Sequence, residues 1–257
     1  MKRMEKFMKN GKSLILAYDQ GLEHGPVDFN DKNVDPAYVY AIAKANSFSA
    51  FAVQKGIAEN YYDRGVPLIL KLNGKTSIYG KEPIARANCS VRHAHKLGAA
   101  AVGYTIYIGS EHESEMFAEF GRVQEEAHDL GLAAILWVYP RGEYVKSDTS
   151  RDMLAYATRS ALELGADAVK VKYGGNMEDF KWAVKAAARM PVYMAGGPKT
   201  NDEGEFLRHA WECIQAGGIG IAVGRNVWQS DNPARTSKRL AAIVFDGKSV
   251  DDAMKIS

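Results

Sequence analysis

The chain has 257 residues, 46% of them hydrophobic and 25% charged, with a formal net charge of +2. Apolar content this high excludes a disordered chain, and the balanced charge without a long basic run leaves no electrostatic footprint for nucleic acid. No uncharged apolar stretch approaches the roughly 18 residues of a membrane span, and the charged segment from Met1 to Lys12 lacks the apolar core of a secretion signal. Neither Cys89 nor Cys213 sits in a Cys-x-x-Cys pair, so both read as buried thiols of a reducing cytoplasm.

Short apolar runs alternate with longer helical patterns along the chain. Ser13 to Tyr18 is the first expected strand, and Asp35-Pro36 then opens a helix with an N-cap and a proline at its first position. Strands follow at Ala50 to Val53 and Leu68 to Lys71, then a helix at Ser90 to Leu97. Ala101 to Ile106 precedes a helix at Ser114 to Leu130, and Ala133 to Val138 precedes one at Ser150 to Leu164. Ala168 to Lys172 leads to Met177 to Arg189, Val192 to Met194 leads to Glu203 to Ala216, and Ile219 to Val223 leads to a last helix near Pro233. Most runs are continuously apolar, as parallel strands buried on both faces must be.

Leu97-Gly98, Leu130-Gly131, Leu164-Gly165 and Ala216-Gly217 each end a helix just before a strand, where glycine supplies the left-handed cap. Eight strand–helix units with no Pro/Ser-rich linker predict an α/β protein: one (β/α)8 TIM barrel over residues 1–257, with a short N-terminal helical extension. A doubly wound open sheet is the structural alternative.

A barrel of this kind works at the C-terminal ends of its strands. The polar residues there are Asp19, Lys71, Trp137, Tyr139, Lys170 and Lys172, with the glycine-rich turns after the last two strands. In the sixth strand, Lys170 and Lys172 share one face because strand side chains alternate. A lysine turned into a packed interior loses stability unless paired or used. Burial and a second ammonium favour its neutral form, the nucleophile that attacks a ketone. The alternative is that both lysines face outward or pair with carboxylates.

Ala195-Gly196-Gly197-Pro198-Lys199-Thr200 and Gly224-Arg225-Asn226 follow the last two strands, the usual place for phosphate in a barrel. Ordinary tight turns are the bland alternative. Trp137, Tyr139 and Arg141 share a parity at the end of the fifth strand; Tyr139 is placed either to relay a proton or to cap the rim through its hydroxyl. Asp19 either orients the lysine or a substrate hydroxyl, or forms a local turn. The six histidines are scattered, and His93-x-His95 would point apart around a helix, so no metal is expected.

These stretches together resemble the archaeal-type class I fructose-1,6-bisphosphate aldolases of the DhnA type, over essentially the whole chain. The segments that carry the resemblance are Leu16-Ala17-Tyr18-Asp19, Leu22-Glu23-His24-Gly25-Pro26, Leu68 to Thr76, Gly103-Tyr104-Thr105-Ile106-Tyr107 and Tyr139-Pro140-Arg141-Gly142. Leu164 to Ala168, Gly196 to Thr200 and Gly220 to Gln229 complete them. The resemblance implies a barrel running a Schiff-base mechanism without metal or other cofactor. It picks Lys170 as nucleophile and Tyr139 as general acid/base, with Asp19 and Trp137 as their neighbours. It places Gln20, His24, Arg141, Lys172, Ala195, Gly196, Gly197, Gly224 and Arg225 against a sugar phosphate, and implies a homo-oligomer, typically a decamer. The family often has histidine where this chain has Gln20, and glutamine hydrogen-bonds but does not titrate.

The expected reaction is reversible cleavage of fructose 1,6-bisphosphate, with Tyr139 removing the C4 hydroxyl proton. Two rivals stand beside it: a synthase of 2-amino-3,7-dideoxy-D-threo-hept-6-ulosonate on the same scaffold, and a non-catalytic sugar-phosphate sensor.

Overall fold

In the computed structural model, which describes residues 2–257, the apolar runs become parallel strands. They are β1 (Ser13–Ala17), β2 (Ala50–Gln54), β3 (Leu68–Lys71) and β4 (Ala101–Ile106). β5 (Ala133–Val138), β6 (Ala168–Val171), β7 (Val192–Ala195) and β8 (Gly220–Val223) continue the series. Each pairs with its neighbours in chain order, and β8 pairs back onto β1, so the sheet closes into a barrel rather than staying open. Nearly every strand residue is buried, because helices cover the outer face while side chains fill the inner one.

A helix follows each strand: α1 (Pro36–Ala45), α2 (Lys55–Tyr61), α3 (Val91–Lys96) and α4 (Glu113–Asp129). Then come α5 (Arg151–Glu163), α6 (Met177–Ala186), α7 (Glu203–Gln215) and α8 (Pro233–Asp246). Asp35, Ser90, Asn176, Asp202 and Asn232 accept backbone N–H bonds at helix starts, which stops the chain from running on as strand. The four junction glycines all adopt positive φ, from 70° to 97°, as their place before a strand requires.

Besides short helices at Gly21–His24, Gly25–Asp28, Arg225–Trp228 and Val250–Met254, three features depart from the pattern read in the sequence. Helix α2 was not expected; its seven residues include Gly56 and carry no apolar repeat. A small hairpin, Asn73–Gly74 against Arg86–Ala87, extends the loop after β3. Strand β6 ends at Val171, so Lys172 lies just beyond it.

The 3-10 helix Lys2–Phe7 closes the N-terminal end of the barrel. Met4, fully buried, and Phe7 pack with Ile15, Ala50, Ala101, Ala133 and Ala168, the inward-facing residues of the strand beginnings. Met1, where the expected domain begins, lies outside the described residues. Among the described residues this plug closes the interior below, and the cavity opens above.

Candidate active site

The inward parity of the strands decides what meets at the mouth. One step above Ile69, Ile135 and Ala168 come Lys71, Trp137 and Lys170. Trp137 is in register with Lys170, and Lys71 with Gly103. A cavity of about 340 Å³ opens there. It brings together Asp19, Gln20, His24, Trp137, Tyr139, Arg141, Lys170 and Lys172 with Ala195, Gly196, Gly197, Gly224 and Arg225. Every site residue read from the sequence thus faces one space, drawn from β1, β5, β6, β7, β8 and their loops.

Lys170 is 7% exposed and its Nζ stands 5.2 Å from the centroid of the Trp137 ring. Burial lowers its pKa, the Arg225 charge lowers it further, and the carboxylates of Asp19 and Glu23 oppose that shift. The indole can reach this position because residue 103 is glycine: a Cβ there would come within 2.2 Å of the ring. Lys172 shares the face of Lys170 but is bound to the Asp148 carboxylate, so the carboxylate-pairing alternative holds for this lysine alone.

Tyr139 continues the line of Trp137 past the end of β5. Burial, then the nearby Asp19 and Glu23 carboxylates, push its phenol well above the ordinary tyrosine range. It therefore holds its proton in the resting site and becomes an acceptor only after giving that proton up. The Arg141 guanidinium stacks over both Tyr107 and Tyr139, 5.4 Å from each centroid, and is fixed by Glu23 at 2.7 Å. Burial alone would raise the Glu23 pKa, but the hydrogen bond and charge of Arg141 win and hold it below the usual carboxylate range. Glu23, Tyr107 and Lys75 also line the cavity; the sequence reading gave them no role.

Where the loops after β1 and β8 meet, His24 Nδ1 lies 2.7 Å from Asp28 Oδ2, and Arg225 Nη1 lies 3.3 Å from Asp28 Oδ1. Asp28 thus joins the loops after β1 and β8, a contact no local pattern announces. Asn226 ties the β7 and β8 turns together: its Nδ2 donates to the carbonyls of Gly196 and Pro198, each at 2.8 Å, and its Oδ1 accepts from Thr200 N. Gly196 is packed so closely on β8 that a Cβ would sit 2.8 Å from Val223 Cα. The result is a fixed concavity of backbone with Arg225 at its edge, the geometry that suits a phosphate. Among the described residues, no cluster of three or more His, Cys, Asp or Glu side chains is placed to hold a metal ion.

A closed barrel with a buried amine beside an aromatic platform and an anion cradle defines an enzyme of the lysine–imine kind. The chain belongs to the DeoC/LacD family of aldolases, whose model matches residues 13–230. It is 50% identical to the class 1 fructose-bisphosphate aldolase of Thermoproteus tenax, over 97% of this chain and 96% of that one. It is 38% identical to a Methanocaldococcus jannaschii protein named fructose-bisphosphate aldolase/6-deoxy-5-ketofructose 1-phosphate synthase, over 99% and 91% of the two chains. The fold superposes with a TM-score of 0.92 on a solved archaeal fructose-1,6-bisphosphate aldolase at 50% identity, covering 95% of this chain and 98% of that one. In that structure the catalytic lysine is covalently bound to the carbinolamine intermediate of the substrate.

Proposed function

We infer that this chain is a class I, Schiff-base fructose-1,6-bisphosphate aldolase, reversibly forming dihydroxyacetone phosphate and glyceraldehyde 3-phosphate. The observation that carries the reading is the buried Lys170 amine, lodged in the same cavity as the glycine cradle of the last two strands. An amine must be neutral to attack, and burial favours that form.

Lys170 attacks the C2 ketone. The backbone of Ala195, Gly196, Gly197 and Gly224, with Arg225, holds the C1 phosphate. His24, Gln20, Arg141 and Lys172 line the rest of the cavity, where the sugar's remaining polar groups would lie. Tyr139 donates its proton as the carbinolamine hydroxyl leaves as water, regains one as the C4 hydroxyl ionises, and passes it to C3 of the enamine. Asp19 lies close enough to offset the positive iminium, and Trp137 forms the floor on which the sugar rests. Holding ketone and amine together supplies several kcal/mol, roughly the lower part of the range for intramolecular reactions.

The whole chain is read as one working barrel, with residues before β1 as its base. No helix of the described residues is long and apolar enough to cross a membrane, and both cysteines are free and buried, which supports a cytoplasmic setting. The homo-oligomer implied by the resemblance is checked by light scattering.

Borohydride added with fructose 1,6-bisphosphate should fix a sugar phosphate covalently on Lys170, located by peptide mass. Attachment elsewhere, or none, rejects the reading. Assaying the heptulosonate-forming reaction beside fructose bisphosphate cleavage separates the synthase, and binding without turnover would identify a sensor.

A further inference from the structure

The cradle that receives the C1 phosphate is made largely of peptide groups. A peptide group serves an anion only when its N–H, and not its C=O, faces the charge. The glycines do not settle that choice, because Gly196 and Gly197 can turn either way at little cost. Resting on the fructose bisphosphate reading, we propose that Asn226 is a positioning residue that selects for a phosphorylated ketone, by holding the peptides of the β7 turn with their N–H groups away from itself and toward the phosphate.

Asn226 is 7% exposed and stands behind the cradle. Gly196, Gly197, Pro198, Gly224 and Arg225 line the cavity, whereas Asn226 does not. Its Nδ2 donates to the Gly196 and Pro198 carbonyls, each at 2.8 Å. In a trans peptide the C=O and the N–H of the next residue point in opposite directions, and none of the described peptides is cis. With the Gly196 carbonyl drawn back to Asn226, the Gly197 N–H is aimed the other way, on the side where Gly197 lines the cavity. The Pro198 carbonyl turns the Lys199 N–H away from Asn226 in the same manner. Among the described residues neither N–H donates to a backbone carbonyl, so both remain available to an anion.

The amide is used in full. Both Nδ2 hydrogens go to the two carbonyls, while Oδ1 accepts from Thr200 N at 2.9 Å and from Thr200 Oγ1 at 3.2 Å. The backbone adds one tie of its own, Gly196 N donating to Ala222 O at 2.9 Å. That bond fixes where the chain leaves β7 but not how the next peptides turn. Gly197 has a φ of 65°, which costs a glycine little, so its own conformation does not lock the arrangement. The same four bonds hold Arg225, the preceding residue, at the edge of the cradle.

The chemistry of the amide is what matters. Aspartate has the same shape but would set an acceptor against two carbonyl oxygens and put a negative charge behind the phosphate. Alanine would leave the two carbonyls and the Thr200 N–H without their partner, so the turn would be free to rotate. Neither change touches Lys170. Dihydroxyacetone can form its imine there without using the cradle, so the role of Asn226 is read in the preference between two ketones.

The test follows exchange of the α-hydrogens of dihydroxyacetone phosphate and of dihydroxyacetone with deuterated solvent, in the parent chain, Asn226→Ala and Asn226→Asp. The parent should prefer the phosphate ester. That preference, the ratio of the two kcat/KM values, should fall about 10-fold in Asn226→Ala and about 100-fold in Asn226→Asp, the size of one to two lost charge-assisted hydrogen bonds. Most of the fall should lie in KM, and inhibition by inorganic phosphate should weaken by a similar factor. A ratio within about three-fold of the parent in both variants overturns the proposal. So does a parallel fall with both ketones, or unfolding of both variants, either of which makes Asn226 a support of the fold alone. Should only Asn226→Asp fail to fold, Asn226→Ala decides by the same ratio. A parent chain with no preference for the ester overturns the phosphate cradle and this role together, and one that exchanges neither ketone overturns the Schiff-base reading itself.

Discussion

The two ends of the barrel interior are built from the same strands at the same parity, but one layer apart they have opposite chemistry. At the base, Met4, Phe7, Ile15, Ala101, Ala133 and Ala168 form an apolar plug that needs no polar partner. One layer up, Lys71 and Lys170 flank Trp137 under a wall of Tyr107, Tyr139 and Arg141. The strand ends supply the two amines and the indole, and the loops make them tenable. Only the upper end is met by loops that bring Asp19, Glu23 and the glycine turns, whose carboxylates and dipoles make two buried amines tolerable. Stability is concentrated below and reactivity above, the division of labour expected of this fold.

That contrast can be broken most severely at the top. Lys170→Met should lower fructose bisphosphate cleavage by at least about 10⁴-fold, because no other group replaces a covalent nucleophile. The substrate dissociation constant and the melting temperature should change little, and calorimetry with titration of the phosphate ester checks both. Tyr139→Phe should lower cleavage by about 10²–10³-fold, the usual loss on removing a proton donor. Its Lys170 adduct should accumulate at the carbinolamine, visible by mass after rapid quench.

The base should respond in the other currency. Met4→Ala removes a fully buried side chain from the plug and should destabilise the fold by about 2–5 kcal/mol, read from urea unfolding. Its kcat should stay within about two-fold of the parent. A large kcat loss would mean that the two ends are coupled.

The smallest expected effect concerns pH. Lys71 has its pKa lowered from 10.5 in a free side chain to about 8 here. Below about 8 it is charged in both the folded and unfolded states, so the penalty for burying the charge is fully present. Between about 8 and 10.5 the unfolded chain binds more protons, so stability rises with pH across that window. Lys71→Met should flatten this slope and raise stability at pH 7 by up to about 3 kcal/mol. A variant equally sensitive to alkali would show that some other group governs the slope.

Much of this was legible before the coordinates. Continuous apolar runs gave the buried parallel strands, and the helix-end glycines marked where each helix turned back to the sheet. The parity of Lys170 and Lys172 pointed to an inward-facing amine because alternation along a strand is a local rule. What escaped was either non-local or poorly patterned. Helix α2, with Gly56 near its start and no apolar repeat, carries little periodic signal. Asp148 binding Lys172 and Glu23 binding Arg141 join residues far apart in the chain, the latter pair 118 positions apart. Only the closed barrel makes them neighbours, so no spacing could announce them. Lys71 was visible as a polar strand end, but its place beside the indole that Lys170 also faces exists only in three dimensions.

The open space above Gly103 that admits the Trp137 ring also equips the molecule with an optical probe. An indole with two amines near its face feels any change in their charge as a shift of its excited-state energy. Gain or loss of a proton by either lysine, or conversion of Lys170 to an iminium, should therefore tune the ultraviolet emission of Trp137. Each turn of the catalytic cycle would carry a spectral mark readable without any dye.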